Sequence, residues 1–224
     1  MATPSELQKW RAALQSGIPI IGQLRRRGAM GELESRAHDP LVIPLLSEAL
    51  SSSNKEIVAR ADKALRQLEQ GEACDTLCDL VIREPEGDAA RICTEQQFRH
   101  TYPRQNALLL FVTKQLDEYF EEDYKFQELR PAHDAADDAV KRHVLAVVRS
   151  GDRRCSAFFS TKTKSLLESS DDEIQLALNN FLRIKDYSEL FQAVLQLPLK
   201  YGVTILGNLA KTDWQPEDPQ LASL

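Results

Sequence analysis

The sequence predicts an all-α protein in which antiparallel helix pairs stack one on the next. Every stretch with a readable hydrophobic rhythm has its apolar residues at the helical spacing i, i+3, i+4 and i+7. No strand-length alternation of polar and apolar residues stands beside these stretches. Residues 39–68 show the pattern best, because a short polar link separates two amphipathic segments there. Such a pair exposes an apolar face that it cannot bury alone, so it must stack on neighbouring pairs.

The first helix of this pair is predicted to begin at Pro40. The side chain of Asp39 can accept hydrogen bonds from free backbone N–H groups, and proline is favoured at the first helical position. Pro44 still lies in the first turn, where it need not break the helix. The apolar stripe of this helix consists of Val42, Leu45, Leu46, Ala49 and Leu50.

The second helix is predicted to follow residues 51–54, a polar run that interrupts the rhythm. Asn54 is a suitable N-cap, and Gly71 lies where the helix pair is expected to end. The second apolar stripe consists of Ile57, Ala61, Ala64, Leu65 and Leu68.

The second helix of the pair resembles the second helix of a HEAT repeat, in which a small residue sits where the two helices touch. The resemblance is clearest over residues 39–70 and differs at Val58, where a basic residue commonly follows the aliphatic one. A degenerate repeat is consistent with the residues that follow, Cys74, Leu77, Cys78, Val81, Ala89, Ile92 and Cys93. The resemblance implies a right-handed α-solenoid of the HEAT or armadillo-like kind.

Two further helices are predicted at the start of the chain. Thr3–Pro4 has the residues of a helix start. A second helix is expected over residues 18–27, with Ile21 and Leu24 facing inward.

Later in the chain, one long helix is predicted from Pro103 or Asn106 to Phe120. Another begins at Asp171, where acidic residues suit the N-terminal end of the helix dipole. The last predicted helix includes Tyr201.

These elements predict one elongated domain over residues 1–211. Its HEAT-like part covers about residues 1–100, and more divergent helices occupy residues 101–211. From residue 212 to residue 224 the rhythm is lost and prolines appear, which predicts an extended tail or a linker.

Composition and charge limit the classes of partner. The formal net charge of −6 opposes binding to a phosphate backbone unless basic residues concentrate on one face. The N-terminal residues lack the apolar core of a signal peptide, and the longest apolar run, residues 107–112, is far shorter than a membrane span. We therefore expect a cytoplasmic protein with no membrane contact and no nucleic-acid partner.

The sequence contains no spacing typical of a catalytic or cofactor motif. A Ser-His-Asp order, a glycine-rich phosphate loop and a dinucleotide fingerprint are all missing, and only nine glycines are present to build such loops. We predict no catalytic residue, no cofactor and no metal. The expected function is a non-enzymatic scaffold that binds a protein partner, either as a whole protein or as a module of a larger one.

Two groups of residues are candidates for partner contact. Arg25, Arg26 and Arg27 form the densest basic run, although a run at a helix end commonly stays solvated. The aromatic residues Tyr119, Phe120, Tyr124 and Phe126 are interleaved with an acidic cluster. Aromatic side chains among charges are typical anchors of an interface, but helical periodicity favours aromatics that point inward and acids that face water.

Two alternative functions remain open at this stage. His133-Asp134 is similar to the adjacent pair of HD-type metal phosphohydrolases, although Asp134, Asp137 and Asp138 are also typical of a helix start. The basic run would suit a HEAT-like nucleic-acid-binding protein, as in the alkylpurine glycosylases. The cysteines are interpreted as buried apolar groups rather than metal ligands.

Overall fold

The computed structural model describes residues 1–15, 21–150, 152–156, 158, 171–183, 190–191, 193–194 and 197–209. No residue in these ranges lies in a β-strand, so the all-α prediction is confirmed for them. The helices are α1 Pro4–Leu14, α2 Ile21–Ser35, α3 Ile43–Leu50, α4 Lys55–Arg66, α5 Glu72–Arg83, α6 Asp88–Glu95, α7 Pro103–Val112, α8 Leu116–Asp123, α9 Leu129–Ala135, α10 Asp138–Arg149, α11 Asp171–Arg183 and α12 Leu199–Leu209.

The chain divides into two compact units, Met1–Val144 and Leu145–Leu224. The predicted single domain over residues 1–211 stays a prediction, and its predicted tail, residues 212–224, lies outside the described residues. No helix in the described ranges combines the length and the apolar character needed to cross a membrane.

In the first unit, α1 to α6 form three contacting pairs, and from α1 to α7 each helix also contacts the helix two places away in the chain. The pairs are α1 with α2, α3 with α4, and α5 with α6. One series of contacts joins α1 to α3, α3 to α5 and α5 to α7, and a second series joins α2 to α4 and α4 to α6. At the end of these series, α7 packs on both α8 and α9.

The apolar stripes predicted for α3 and α4 lie in the core. All five stripe residues of α3 are buried, as are Ile57, Ala61, Ala64 and Leu65 of α4, while Leu68 is half-buried. Asn54 caps α4 as predicted, because its Oδ1 accepts the Glu56 N–H at 3.0 Å. Helical spacing in the sequence therefore identifies the buried faces of this pair correctly.

The predicted start of α3 at Pro40 is wrong by three residues. The helix begins at Ile43, and Asp39 instead stabilises the turn before it, accepting the Leu41 N–H at 3.1 Å. The Asp39 side chain is buried and also accepts the backbone N–H of Ala2. Contact with a distant segment of the chain has taken the place of the local cap.

The predicted end of the second helix at Arg27 is also wrong. Helix α2 continues to Ser35, because Ala29, Met30 and Leu33 are buried beyond the arginine run. Leu24, predicted to face inward, is 66% exposed. Packing of the later turns outweighs the low helix propensity of the glycines near the run.

The predicted long helix up to Phe120 is broken in two. Helix α7 ends at Val112 and α8 begins at Leu116. Between them Lys114 adopts a positive φ of 62°, and the Gln115 N–H donates to the Leu110 carbonyl at 2.9 Å. This is a helix-ending bond of the Schellman type, formed without the glycine that usually signals it in a sequence.

The second unit contains α11 and α12, which contact each other. Ile174, Ala177, Leu178 and Phe181 of α11 are buried, and Leu182 is half-buried. Lys200 Nζ lies 2.8 Å from Asp171 Oδ2 at the start of α11, so the acidic start of this helix also makes an ion pair.

Candidate protein-binding surface

Helices α2 and α4 are joined by two ion pairs on the exposed side of the first unit. Arg27 Nη2 lies 2.9 Å from Glu56 Oε2. Arg60 holds both oxygens of Glu34, with Nε 2.8 Å from Oε1 and Nη2 2.5 Å from Oε2. This two-point geometry orients the α4 arginine against α2. The hydrogen bond from Arg27 also lowers the pKa of the Glu56 carboxyl below its ordinary value.

Helices α4 and α6 are joined by a four-membered charge network. Within α4, Arg66 Nε lies 2.6 Å from Asp62 Oδ2, and Arg66 Nη2 reaches Glu95 Oε2 of α6 at 2.5 Å. Arg91 Nη2 of α6 lies 3.1 Å from Asp62 Oδ1 of α4. Hydrogen bonding to Arg66 holds the pKa values of Asp62 and Glu95 below their ordinary values.

Three of the four cross-helix pairs share one sequence separation, whereas Glu34 and Arg60 are 26 residues apart. Arg27 and Glu56, Asp62 and Arg91, and Arg66 and Glu95 are each 29 residues apart. A recurring separation between contacting residues is expected when similar units follow one another along a stack. Equivalent positions of α2, α4 and α6 therefore face one another.

The α4–α6 network gives the first testable prediction. A double-mutant cycle on Asp62→Ala and Arg91→Ala should show a coupling of about 0.5 kcal/mol at pH 7, as for partly exposed pairs. The pKa of Asp62 is lowered by folding, so its contribution is present above the unfolded-state value of about 3.9 and is lost as pH falls through the lower folded value.

The measurement is urea unfolding of wild type and of Asp62→Asn between neutral pH and about pH 3, where carboxylates titrate. The destabilisation caused by Asp62→Asn should shrink as the solution is acidified. An effect that is independent of pH would show that the Asp62 charge contributes nothing to this network.

The arginine run lies within α2 rather than at a helix end. Arg25 and Arg27 are exposed and Arg26 is half-buried. Arg27 binds Glu56, whereas Arg25 makes no ion pair with any residue that the structure describes. The three neighbours therefore have different surroundings, and their part in partner binding stays a prediction.

The four aromatic candidates for partner contact differ in their exposure to solvent. Tyr119 and Phe126 lie in the core and pack against each other with ring centroids 5.9 Å apart. Phe120 is half-buried, while Tyr124 is 63% exposed with Lys125 Nζ 5.1 Å from its ring centre. The burial of Tyr119 and Phe126 agrees with the inward orientation that helical periodicity favours, and their part in partner binding stays a prediction. Phe120 and Tyr124 stay candidates.

The acidic cluster around these aromatics has one buried member. Asp123 ends α8, and its two oxygens accept the backbone N–H groups of Gln127, Glu128 and Leu129 at 2.6–3.1 Å. Its Oδ2 also accepts the Tyr119 hydroxyl at 3.1 Å. Asp123 therefore caps the start of α9. The sequence predicted that its side chain faces water, but the side chain is buried.

His133 and Asp134 lie in the last turn of α9, with Nδ1 of the histidine 3.3 Å from Oδ1 of the aspartate. The prediction that Asp134 begins a helix is wrong, whereas Asp137 does cap α10 by accepting the Ala139 and Val140 N–H groups. The next histidine, His143 of α10, contacts the Arg83 carbonyl oxygen, which lies 2.9 Å from its Nε2. The described residues contain no group of three His, Cys, Asp or Glu side chains placed to hold a metal ion.

The four cysteines are buried free thiols, as predicted for apolar packing. The hydrogen bond to Cys78, followed by burial, raises the pKa of the Cys74 thiol. For Cys78 the bond with Cys74 acts in the opposite direction, but the bond with Cys93 and burial outweigh it and raise the pKa. The thiols of Cys74 and Cys78 are therefore stabilised in the protonated form.

A polar cluster surrounds the buried His100 and was not predicted from the sequence. Its imidazole lies 3.6 Å from Asp75 and 3.4 Å from Asp79, both on α5, and Nδ1 accepts the Tyr102 N–H at 3.0 Å. The cluster fixes the loop between α6 and α7. These residues come together only because that loop packs on α5. No local sequence pattern therefore predicts the cluster.

Comparison with protein-family models, curated proteins and solved structures finds no match to this chain. The resemblance to HEAT repeats therefore stays a prediction. The helix contacts, the ion pairs and the exposed side chains carry the functional proposal.

Proposed function

We propose that this chain is a non-enzymatic scaffold whose first unit is an α-solenoid of antiparallel helix pairs that binds a protein partner. The observation that carries the proposal is the double series of contacts, α1–α3–α5–α7 and α2–α4–α6. In repeat proteins each unit contacts mainly its neighbours, and successive units present their equivalent side chains along one surface. That surface suits the binding of another polypeptide.

The ion pairs between successive even-numbered helices support this assignment. Three of the four pairs link successive even-numbered helices at the same 29-residue separation, so exposed charge is repeated along α2, α4 and α6. Charged side chains that repeat along a surface favour recognition by electrostatic complementarity. A partner would contact several helices at once rather than enter a single enclosed cavity.

Affinity capture tests the proposal. The full chain, immobilised through an added tag, should enrich a protein from a lysate of its source cells, and the purified pair should bind again with one stoichiometry. The scaffold proposal is contradicted if no protein is enriched and the purified chain instead hydrolyses phosphate esters with added Mn²⁺, with loss of activity in His133→Ala.

A further inference from the structure

A groove crosses the surface of the first unit where α1 and α2 meet the start of α4. Its larger part, about 740 Å³, is lined by residues of α1, α2, α3, the α3–α4 loop and the start of α4, including Arg11, Arg26 and Lys55. A smaller hollow of about 220 Å³ shares Arg26, Asn54 and Ile57 with it and extends toward Arg60. We call these two connected hollows the basic groove.

The basic groove concentrates positive charge on a chain whose net charge is −6. Five basic and two acidic side chains line it, namely Arg11, Arg26, Arg27, Lys55 and Arg60 with Glu48 and Glu56, and Arg60 is also paired with Glu34, which is not among the lining residues. Lys55 makes no ion pair with any described residue. A concave surface lined by an excess of one charge concentrates ligands of the opposite charge.

Arginines of the groove bind the carboxylates of its two acidic side chains, Glu48 and Glu56. Glu48 accepts from Arg11 Nε at 3.1 Å and Nη2 at 2.5 Å, and Glu56 accepts from Arg27. Both pairs are about half-exposed, so each contributes little to folding and can exchange partners. A carboxylate from outside the chain can therefore replace Glu48 or Glu56 without disturbing the core.

The apolar part of the lining distinguishes between two classes of polyanion. Among the apolar lining residues, Leu14 is half-buried, whereas Ala49 and Ile57 are buried in the core. Leu14 suits an aliphatic side chain of a peptide, whereas a continuous phosphate backbone would place its charges against Glu48 and Glu56. Single-stranded nucleic acids also depend on aromatic stacking platforms, and no aromatic residue is among the described groove-lining residues.

We propose that the basic groove binds a short acidic peptide segment of a partner protein, whose carboxylates pair with Lys55 and exchange with Glu48 on Arg11. This inference deepens the proposed scaffold function and rests on it. It also divides the arginine run, because Arg26 and Arg27 line the groove while Arg25 is not among its lining residues.

The test measures fluorescence anisotropy of a labelled peptide of about ten residues, mainly glutamate with two central leucines, added to the full chain. The peptide should bind saturably and more weakly as salt is raised, because screening weakens exposed charge pairs. Lys55→Glu should weaken binding about tenfold, since it replaces a groove cation with an anion. Glutamate in the first turn suits the helix dipole, so α4 should stay folded.

Arg25→Glu is the matched control, because it makes the same charge change at an exposed site that does not line the groove. It should weaken binding by less than about threefold, since screening limits its reach. Lys55→Gln, checked by circular dichroism, supplies a second variant that adds no negative charge and should also weaken binding.

Three results would overturn the inference. These are equal losses from Lys55→Glu and Arg25→Glu, equal binding of a peptide with glutamine in place of glutamate, and tighter binding of an oligothymidylate of the same length. Capture of a partner by wild type and Lys55→Glu alike would remove the groove's role and leave the scaffold function standing. Lys55-dependent peptide binding without any captured partner would instead count against the scaffold function.

Discussion

Replacing Phe111 with alanine is expected to lower the free energy of unfolding of the first unit by about 3–5 kcal/mol, the range for large-to-small changes of buried aromatic residues. Phe111 is fully buried in α7. Its ring meets Tyr119 edge-on at 5.0 Å and Phe126 at 6.5 Å between centroids. The substitution therefore removes buried apolar area and leaves a cavity between α7, α8 and the segment before α9.

Hydrogen exchange of the α7 amides in the full chain, followed against urea, measures this loss without assuming that both units unfold together. Tyr124→Ala is the control, because its ring is 63% exposed and its loss should cost less than about 0.5 kcal/mol. A loss below about 1 kcal/mol for Phe111→Ala would contradict the packing of this aromatic core.

Replacing Asp123 with asparagine is expected to cost about 2–4 kcal/mol, although the side chain keeps its size. The carboxylate accepts three backbone N–H groups and the Tyr119 hydroxyl. An asparagine offers one oxygen and turns an N–H₂ group toward these donors. Buried donors then lose their acceptor, and the start of α9 loses its cap.

Urea unfolding and exchange of the Gln127 and Leu129 amides measure the effect. Asp117→Asn is the matched control, because Asp117 lies exposed in the first turn of α8, where loss of charge should cost about 0.5 kcal/mol. If Asp123→Asn is as stable as wild type, the carboxylate does not hold the start of α9.

Helical periodicity predicted the parts of the fold that depend on local spacing. The buried faces of α3, α4 and α5 follow from apolar residues at i, i+3 and i+4, because a helix turns those positions toward one side. The cap at Asn54 was also predictable, since the N–H group that its side chain accepts lies two residues away, at Glu56.

Errors arose where distant packing overrides a local signal. Asp39 has the chemistry of a helix cap, but its carboxylate also binds Ala2, so α3 starts later. The positive φ of Lys114 allows α7 to end without a glycine. Helix α2 continues beyond the arginine run because Met30 is buried there. Local propensities are small beside the burial of such side chains.

The candidate surface was only partly visible in the sequence. The arginine run was identified, but the approach of Arg11 and Lys55 to Arg26 requires three helices to pack, which no single segment encodes. One feature of the sequence indicates the pairing of Arg66 with Glu95, namely that oppositely charged residues recur 29 positions apart. That spacing becomes meaningful only when the even-numbered helices are neighbours.

Spin-label distances test the stacking of α2, α4 and α6 most directly. Labels on cysteines introduced pairwise at Glu32, Ala59 and Asp88 use exposed positions of the three helices, and the four native cysteines are buried. A stack predicts similar α2–α4 and α4–α6 distances and an α2–α6 distance longer by roughly 10 Å, one interhelical spacing. An α2–α6 distance equal to or shorter than the other two would contradict the stacked arrangement.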